Sequence, residues 1–411
     1  MKRLLVFITR NYPHEKGEPF IENEISLLHE KFDKILLVSS LTATTPKQTR
    51  STPDGVRVEY NAKPSYIPTI LKNLPKASFW KNMIGEIKEQ PRILSNVRSF
   101  AKCTLFSSIP DEAVADVWRK IKDVNYQEYD EVIIYSYWFH FTAAISIKLK
   151  GLMNHDNVKI ISRAHRYDLY EYAEKDQYIP FRKYLLNNTD MIFSISEDGQ
   201  TYLQNKYGDY REKIYCSRLG VPDRGQNPGE TSETLHIVSC SRLEDLKRVH
   251  LIVEILSHFK TKKIKWTHFG DGSLFEETKN KAKKLPKNIE WEFKGNILNE
   301  QLMSFYRENH VDLFINVSSS EGIPVSIMEA QSFGIPVIAT NVGGTGEIVH
   351  NGVNGFLLDQ DFEIETVVQH IHTIINMSEA EYGELRKNSR ELWEKDYNSF
   401  ENYKGFIRSI V

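Results

Sequence analysis

The sequence predicts an α/β protein of two doubly wound parallel sheets, and three observations carry that prediction. Short β-branched runs alternate with amphipathic helical segments, the pattern of parallel βαβ units. The alternation stops once, at residues 221–234 (VPDRGQNPGETSET), a polar stretch with Pro and Gly and no periodicity, which reads as a linker. The length of 411 residues exceeds what one hydrophobic core serves and suits two domains of ordinary size.

Before the linker, strands are expected at residues 4–8, 35–39, 132–135, 158–161 and 191–195, with helices near 19–31, 139–149 and 177–187. After it, strands are expected at 235–239, 265–269, 289–293, 313–317 and 336–339. Helices are expected there near 248–259, 274–285, 301–308, 324–333 and 363–375. The domains are therefore drawn at 1–222 and 233–395, with a closing helix, 396–411, free to pack back on the first. In open parallel sheets ligands bind at the carboxyl ends of the strands, so a cleft faced by both domains is the expected site.

Composition narrows the function class. Hydrophobic residues make up 40% and charged residues 26%, the profile of a globular protein. A net charge of -2 provides no basic field for nucleic acid. Cys103, Cys216 and Cys240 are odd in number and far apart, which suits neither a disulfide framework nor a zinc site and fits a reducing compartment. The apolar run in MKRLLVFITRNYP is too short for a signal peptide and reads as a buried first strand. No stretch approaches the roughly 18 apolar residues of a membrane span, so a cytoplasmic location is expected.

Residues 63–102 interrupt the pattern with eight Lys/Arg against two Asp/Glu. Ile93, Val97 and Phe100 recur at helical spacing, and Phe79 and Trp80 lie upstream. Two readings stand: an ordinary helix with a solvated basic face, or a basic amphipathic helix in peripheral contact with the inner face of an anionic membrane.

The densest chemical signal is SSSEGIPVSIMEAQSFGIPVIATN at 318–341, which follows the apolar strand DLFINV. A glycine-containing turn from strand to helix presents free N–H groups and a positive helix end, suited to phosphate, and Pro324 is tolerated at a helix start. Glu321 precedes the helix and Glu329 falls in its second turn, which sets the carboxylates about 10 Å apart. That is the span from a sugar to a ribose across a diphosphate, and each carboxylate can accept hydrogen bonds from vicinal hydroxyls. Asp359 and Asp361 have the spacing of a metal-binding pair but follow GFLL in a turn.

These strings resemble glycosyltransferase family 4, whose mark is Glu-x7-Glu, here Glu321-GIPVSIM-Glu329. The similarity runs on through Gly334-Ile335-Pro336-Val337, Gly343-Gly344 with Glu347, and Asn351-Gly352 to Leu357. It includes Arg242 and Lys247 in IVSCSRLEDLKR, and more loosely YDEVIIYSYWFH, ISRAHRYD, FSISE and RLGVP in the first half. The resemblance implies a GT-B fold of two Rossmann-like domains, the first for the acceptor and the second for a nucleoside-diphosphate sugar. It also implies transfer of a hexose-type sugar with retention to a hydroxyl of a glycan or lipid-linked acceptor, in surface polysaccharide or glycoconjugate synthesis.

Carried over by position, Arg242 and Lys247 clamp the diphosphate and offset charge on the leaving group. Glu329 binds the ribose and Glu321 the transferred sugar, while amides of Gly322, Ile323 and Val325 line phosphate and sugar. Pro324 stands where many members have glycine and offers no N–H. His165 is implied beside the reacting carbon, as a hydroxyl ligand or charge stabiliser. His140 reads equally as packing or acceptor contact. Gly17, alone where the family commonly has two glycines, reads equally as a backbone approach to diphosphate or acceptor and as a simple turn. The base is expected near Gly270, Gly295, Asn296 and Ile297, largely against backbone. The donor is expected to be a UDP- or GDP-sugar, with no cofactor and no metal. Rival readings are a sugar-nucleotide epimerase or phosphorylase of the same architecture and a non-catalytic sugar-nucleotide-binding or assembly protein.

Overall fold

The computed structural model describes residues 1–15, 17–229 and 232–411; Lys16 in the loop after the first strand and Glu230 and Thr231 of the expected linker lie outside the described residues. The chain forms two compact units, Met1–Ser217 with Tyr403–Val411 and Arg218–Asn402.

In unit 1 the elements run β1 (Arg3–Thr9), α1 (Ile21–His29), β2 (Lys34–Thr42), β3 (Arg57–Ala62), α2 (Tyr66–Asn73), α3 (Ala77–Glu89), α4 (Val97–Ile121) and β4 (Glu131–Ser136). They continue with α5 (Phe141–Lys150), β5 (Val158–Ala164), α6 (Arg182–Asn188), β6 (Met191–Ser194), α7 (Glu197–Lys206) and β7 (Ile214–Cys216). The strands form one seven-stranded sheet in the order β3-β2-β1-β4-β5-β6-β7, paired in parallel throughout. Inner strands such as β4 (EVIIYS) are buried along their whole length, as parallel strands covered on both faces are. The order reverses beside β1, which pairs with both β2 and β4.

Unit 2 holds β8 (Leu235–Cys240), α8 (Val249–Ser257), β9 (Ile264–Phe269), α9 (Phe275–Ala282), β10 (Ile289–Phe293), α10 (Asn299–Glu308) and β11 (Leu313–Asn316). It continues with α11 (Val325–Ser332), β12 (Val337–Thr340), α12 (Thr345–Ile348), β13 (Gly355–Leu358), α13 (Ile364–Asn376) and α14 (Glu379–Asp396); α15 (Ser399–Ile410) runs from unit 2 into unit 1. Its parallel sheet has the order β10-β9-β8-β11-β12-β13, reversing beside β8. Two parallel sheets with flanking helices are the Rossmann-like, GT-B arrangement the motifs implied.

Several elements differ from the sequence expectation. β3 and β7 are edge strands without an apolar run, and β13, at an edge of the second sheet, is a four-residue strand, GFLL. The helix expected at 177–187 begins only at Arg182, where Phe181 in the left-handed region breaks the turn before it. Ile93, Val97 and Phe100 do not share one helix: Ile93 lies on a separate short turn and is buried, while α4 starts at Val97. Asn96 separates them by capping α4, its side chain accepting from the amides of Arg98 and Ser99 at 3.0 and 3.1 Å. Much of the stretch expected to be a linker packs into unit 2. Asn227 donates to the carbonyls of Tyr306 and Asn309 and its own carbonyl accepts from Arg386. No helix of the described residues is long and apolar enough to cross a membrane.

A buried ion pair ties the centre of unit 1 together. Arg163 on β5 and Glu24 on α1 are both fully buried and 3.2 Å apart, and Tyr135 Oη on β4 donates to Glu24 at 2.9 Å. The Arg163 guanidinium lies 4.3 Å from the ring centre of Phe406 on α15, which fastens the C-terminal helix to the sheet. Glu24→Ala leaves this cation buried without its partner. It should cost about 3–5 kcal/mol of stability in urea unfolding; a loss under about 1 kcal/mol would show that the pair is not integral to the unit.

Candidate functional site

In unit 2 the chemistry gathers where the strand order reverses, at the carboxyl ends of β8, β9 and β11. A cavity of about 260 Å³ is lined there by Ser241, Arg242, Gly270, Asn296, Ile297 and Glu329, among others. Five positions singled out in the sequence therefore share one cavity, although 87 residues separate Arg242 from Glu329 in the chain. Arg242 is 74% exposed and paired with Glu244 at 2.5 Å, so its guanidinium is accessible at the cavity's edge.

The walls are set by close backbone contact. Gly270 has φ +133°, and a Cβ on it would come within 1.9 Å of the Ser241 carbonyl oxygen, so only glycine lets the β9 loop lie against the β8 loop. Its amide donates to the Gly295 carbonyl at 2.9 Å, joining the loop that carries Asn296 and Ile297.

Glu329 stands on α11 with its carboxylate accepting from Asn299 Nδ2 at 2.6 Å. Burial pushes its pKa up to about 7, against that hydrogen bond. Glu321 is placed differently. Its Oε1 accepts from Lys247 Nζ at 2.6 Å and from Asn316 Nδ2 at 3.4 Å. Two backbone ties fix that pair: the amide of Ser319 donates to Leu246 O at 2.8 Å, and that of Gly344 to Gly322 O at 2.6 Å. Gly343, at φ +54°, lies where a Cβ would be 2.2 Å from the Glu321 carbonyl oxygen. The Gly-Gly pair thus holds the Glu321–Gly322–Ile323 turn from behind. Pro324 is extended at the N-cap of α11, and Val325 is its first residue.

Unit 1 holds Gly17 and His165. The His165 ring is buried at the end of β5, between Trp138 and Tyr137 with ring centres 4.3 and 4.8 Å away. Neither ring nitrogen has a hydrogen-bond partner among the described residues. Burial, helped by the charge of Arg163, holds its pKa well below the ordinary value, so the imidazole is neutral. Such a ring offers one donor and one acceptor that the protein itself leaves unused.

Several site residues escaped the sequence reading. Asp168, buried, accepts from the amides of His165 and Phe139 at 2.6 Å each and so joins the loops after β5 and β4. Burial lifts its pKa to about 7 despite those bonds. Glu18 accepts from the successive amides of Arg10, Asn11 and Tyr12 at 2.7–2.8 Å and from Trp138 Nε1 at 2.5 Å. The loop after β1 therefore carries its own anion, and Gly17 lies beside it with its would-be Cβ 3.0 Å from Asn11. Two neighbouring cavities, of about 110 and 250 Å³, share His140, Phe141 and Tyr167. Arg10, Lys63 and Trp138 line the first and Lys102 the second. His140 is edge-on to Phe106 and Phe141, and burial drives its pKa down to about 3. The only signal for Glu18 and Asp168 was position, since each falls in a loop that follows a strand end.

Comparisons with known proteins give the chain's similarities. Residues 224–392 match the family model of glycosyl transferases group 1. A putative colanic acid biosynthesis glycosyltransferase, WcaL of Escherichia coli K12, is 26% identical over 249 residues, covering 58% of this chain and 61% of that protein. The O-antigen biosynthesis glycosyltransferase WbnH of Escherichia coli is 30% identical over 179 residues, covering 43% and 48%. The chain thus spans about half to three-fifths of the length of these curated relatives. Among solved structures, the lipopolysaccharide outer core galactosyltransferase WaaB in its apo form has a TM-score of 0.67 at 17% identity, over 99% of this chain and 100% of that one. HepE of Anabaena in complex with UDP has a TM-score of 0.66 at 16% identity, over 100% and 99%. These likenesses are to the fold.

The raised pKa of Glu329 makes a prediction with a definite sign. Its folded pKa lies above its unfolded one, so the folded state binds the proton more tightly and stability falls as pH rises from about 4.5 to about 7. Glu329→Gln should therefore exceed wild type in stability by about 1–2 kcal/mol near pH 8 and lose that advantage near pH 4.5. Urea unfolding at the two pH values reads the difference, and an equal effect at both would contradict the assignment.

Proposed function

From the membership of residues 224–392 in the glycosyl transferases of group 1, we propose that the chain is an enzyme transferring a sugar from a nucleoside-diphosphate donor to a glycan or lipid-linked hydroxyl in surface polysaccharide synthesis. The observation that carries the reading is the unit 2 cavity, which brings Arg242, Gly270, Asn296, Ile297 and Glu329 together at the point where the strand order reverses. The names of WcaL and WbnH support the setting, and the UDP bound to HepE supports the donor class.

The donor fits this site by charge and shape. A base lies against the backbone of Gly270, Asn296 and Ile297, and Glu329 accepts from the ribose hydroxyls. Arg242 and Lys247 take the diphosphate, so no metal or cofactor is called for. Lys247 and Glu321 neutralise each other without donor; a phosphate oxygen draws the lysine away and the sugar hydroxyls replace it on Glu321. Amides of Gly322, Ile323 and Val325 face phosphate and sugar, with Pro324 starting α11 but giving no N–H.

Cleavage of the bond between the anomeric carbon and the phosphate oxygen leaves charge on the diphosphate, which two cations stabilise. The acceptor hydroxyl bonds to that carbon from the face the phosphate leaves, and a phosphate oxygen takes its proton, so configuration is retained. His165 supplies a neutral imidazole for a sugar hydroxyl. The acceptor glycan lies in the aromatic cavities of unit 1, where Trp138 and Tyr167 offer faces to sugar rings and Arg10 and Lys63 offer cations to an acidic carrier.

Calorimetric titration with UDP-, GDP- and ADP-sugars without added metal should show one saturable series. Glu329→Ala should weaken it about 10- to 100-fold, the worth of hydrogen bonds to a charged group. Absence of binding by every series would favour a non-catalytic assembly protein. Once an acceptor is in hand, Lys247→Ala should lower kcat about 100- to 1,000-fold; an unchanged kcat would remove Lys247 from the leaving-group site.

A further inference from the structure

The region 63–102 presents an outer surface rich in large apolar side chains, and in α2 the polarity is inverted. On α2 the buried residues are the polar Thr69 and Asn73, whereas Ile67 and Leu71 point outward, Ile67 being 72% exposed. α3 buries Phe79, Met83 and Glu86 at helical spacing against Cys103 and Phe106 of α4. Its outer face then carries Trp80 and Ile84, each 50% exposed. Leu94, Val97 (88% exposed) and Phe100 extend the apolar surface along the next turn and the start of α4. Exposing this many large apolar side chains in one stretch is unfavourable in water and marks a surface that something covers.

Charge identifies the cover. Lys81 adjoins Trp80 on α3, and Lys88 lies one turn beyond Ile84; both are exposed, as are Lys63, Lys76 and Arg98. The two acidic residues of the stretch are withdrawn from this face. Glu86 is buried, accepting from Tyr178 Oη at 2.9 Å and the Phe181 amide at 2.8 Å, and Glu89 is paired with Lys183 at 2.5 Å. A second copy of the same face would set these cations against one another. A surface with an apolar interior and anionic headgroups satisfies both the side chains and the charges. The indole N–H of Trp80 donates to Leu74 O at 2.8 Å, which holds the ring in place at the surface. Lys63 and Tyr66, at the start of α2, also line the aromatic cavity of unit 1, so the surface runs directly into that cavity.

We propose that the α2–α3 face, with Leu94, Val97 and Phe100, docks unit 1 on an anionic phospholipid bilayer, Trp80 and Ile84 entering the interface and Lys81 and Lys88 meeting the headgroups. The inference is independent of the transfer reaction and is tested on the full chain without donor or acceptor. In flotation with vesicles of equimolar phosphatidylcholine and phosphatidylglycerol, wild type should partition to the lipid, and with phosphatidylcholine alone it should stay largely in solution. Lys81→Gln with Lys88→Gln should lower the partition coefficient about thirty-fold, at about 1 kcal/mol per headgroup-facing cation. Trp80→Ser with Ile84→Ser should lower it by at least about tenfold. All four positions are exposed, so unchanged circular dichroism separates lost docking from lost folding. Equal binding to both vesicle types, no binding to either, or binding indifferent to both double variants overturns the proposal. Self-association in sedimentation that Trp80→Ser with Ile84→Ser abolishes, without vesicle binding, assigns the face to a second copy and also overturns it.

Discussion

Parallel strands covered on both faces leave no room for polar chemistry along their length, and the organisation of this protein follows from that constraint. Side chains of β1, β4, β8 and β11 go into the cores almost without exception. Reactive groups are confined to loops at the carboxyl ends, and most of all to the places where neighbouring loops diverge, beside β1 in unit 1 and β8 in unit 2. Those loops need positioning of their own, and each unit supplies it differently. In unit 2 backbone meets backbone, with Gly270 against Ser241 and Gly343 against Glu321. In unit 1 carboxylates do the tying: Glu18 gathers three amides after β1, and Asp168 joins the loops after β4 and β5.

The two solutions differ in consequence. Backbone contact through glycine keeps side chains out of the loop packing, and in unit 2 Arg242 and Glu329 line the cavity while Lys247 and Glu321 pair with each other. Carboxylate tying uses up the amides: the successive N–H groups of Arg10, Asn11 and Tyr12 are an anion site already filled by Glu18. An anionic ligand in unit 1 is thus left to side-chain cations such as Arg10 and Lys63, beside aromatic surfaces.

How much of this was legible in the sequence follows from where the information is local. The inner strands announced themselves as apolar runs, and the Glu321–Glu329 spacing on a helix start could be read directly. β3, with RVEYNA, and the three-residue β7 have too little apolar content for any periodicity, so they appear only once a neighbouring strand pairs with them. α4 was hidden by Pro110 in its middle, although burial on the side facing the sheet sustains it for 25 residues. The partners of the site residues were least legible. Nothing in the chain around Glu321 points to Lys247, and nothing around Asp168 points to the Phe139 amide, because those contacts are made by folds of the chain rather than by spacing. The basic stretch was readable as amphipathic, but not as several short helices, of which α2 turns its polar Thr69 and Asn73 inward.

Three groups at the candidate sites fit their surroundings poorly without a partner. A carboxyl held near pKa 7 at Glu329, another at Asp168 and an imidazole without partners at His165 all reduce the stability of a protein without ligand. Glu329 and His165 share one property: each becomes better satisfied when a hydroxyl arrives. Glu329 gains donors that favour its ionised form, and His165 gains the bond it lacks. Asp168 is different, since its carboxylate already accepts from two backbone amides, and its strain holds the His165 loop in place. A hydroxyl donor brought to Glu329, or a hydroxyl to His165, would relieve at each position a mismatch that the folded chain already carries.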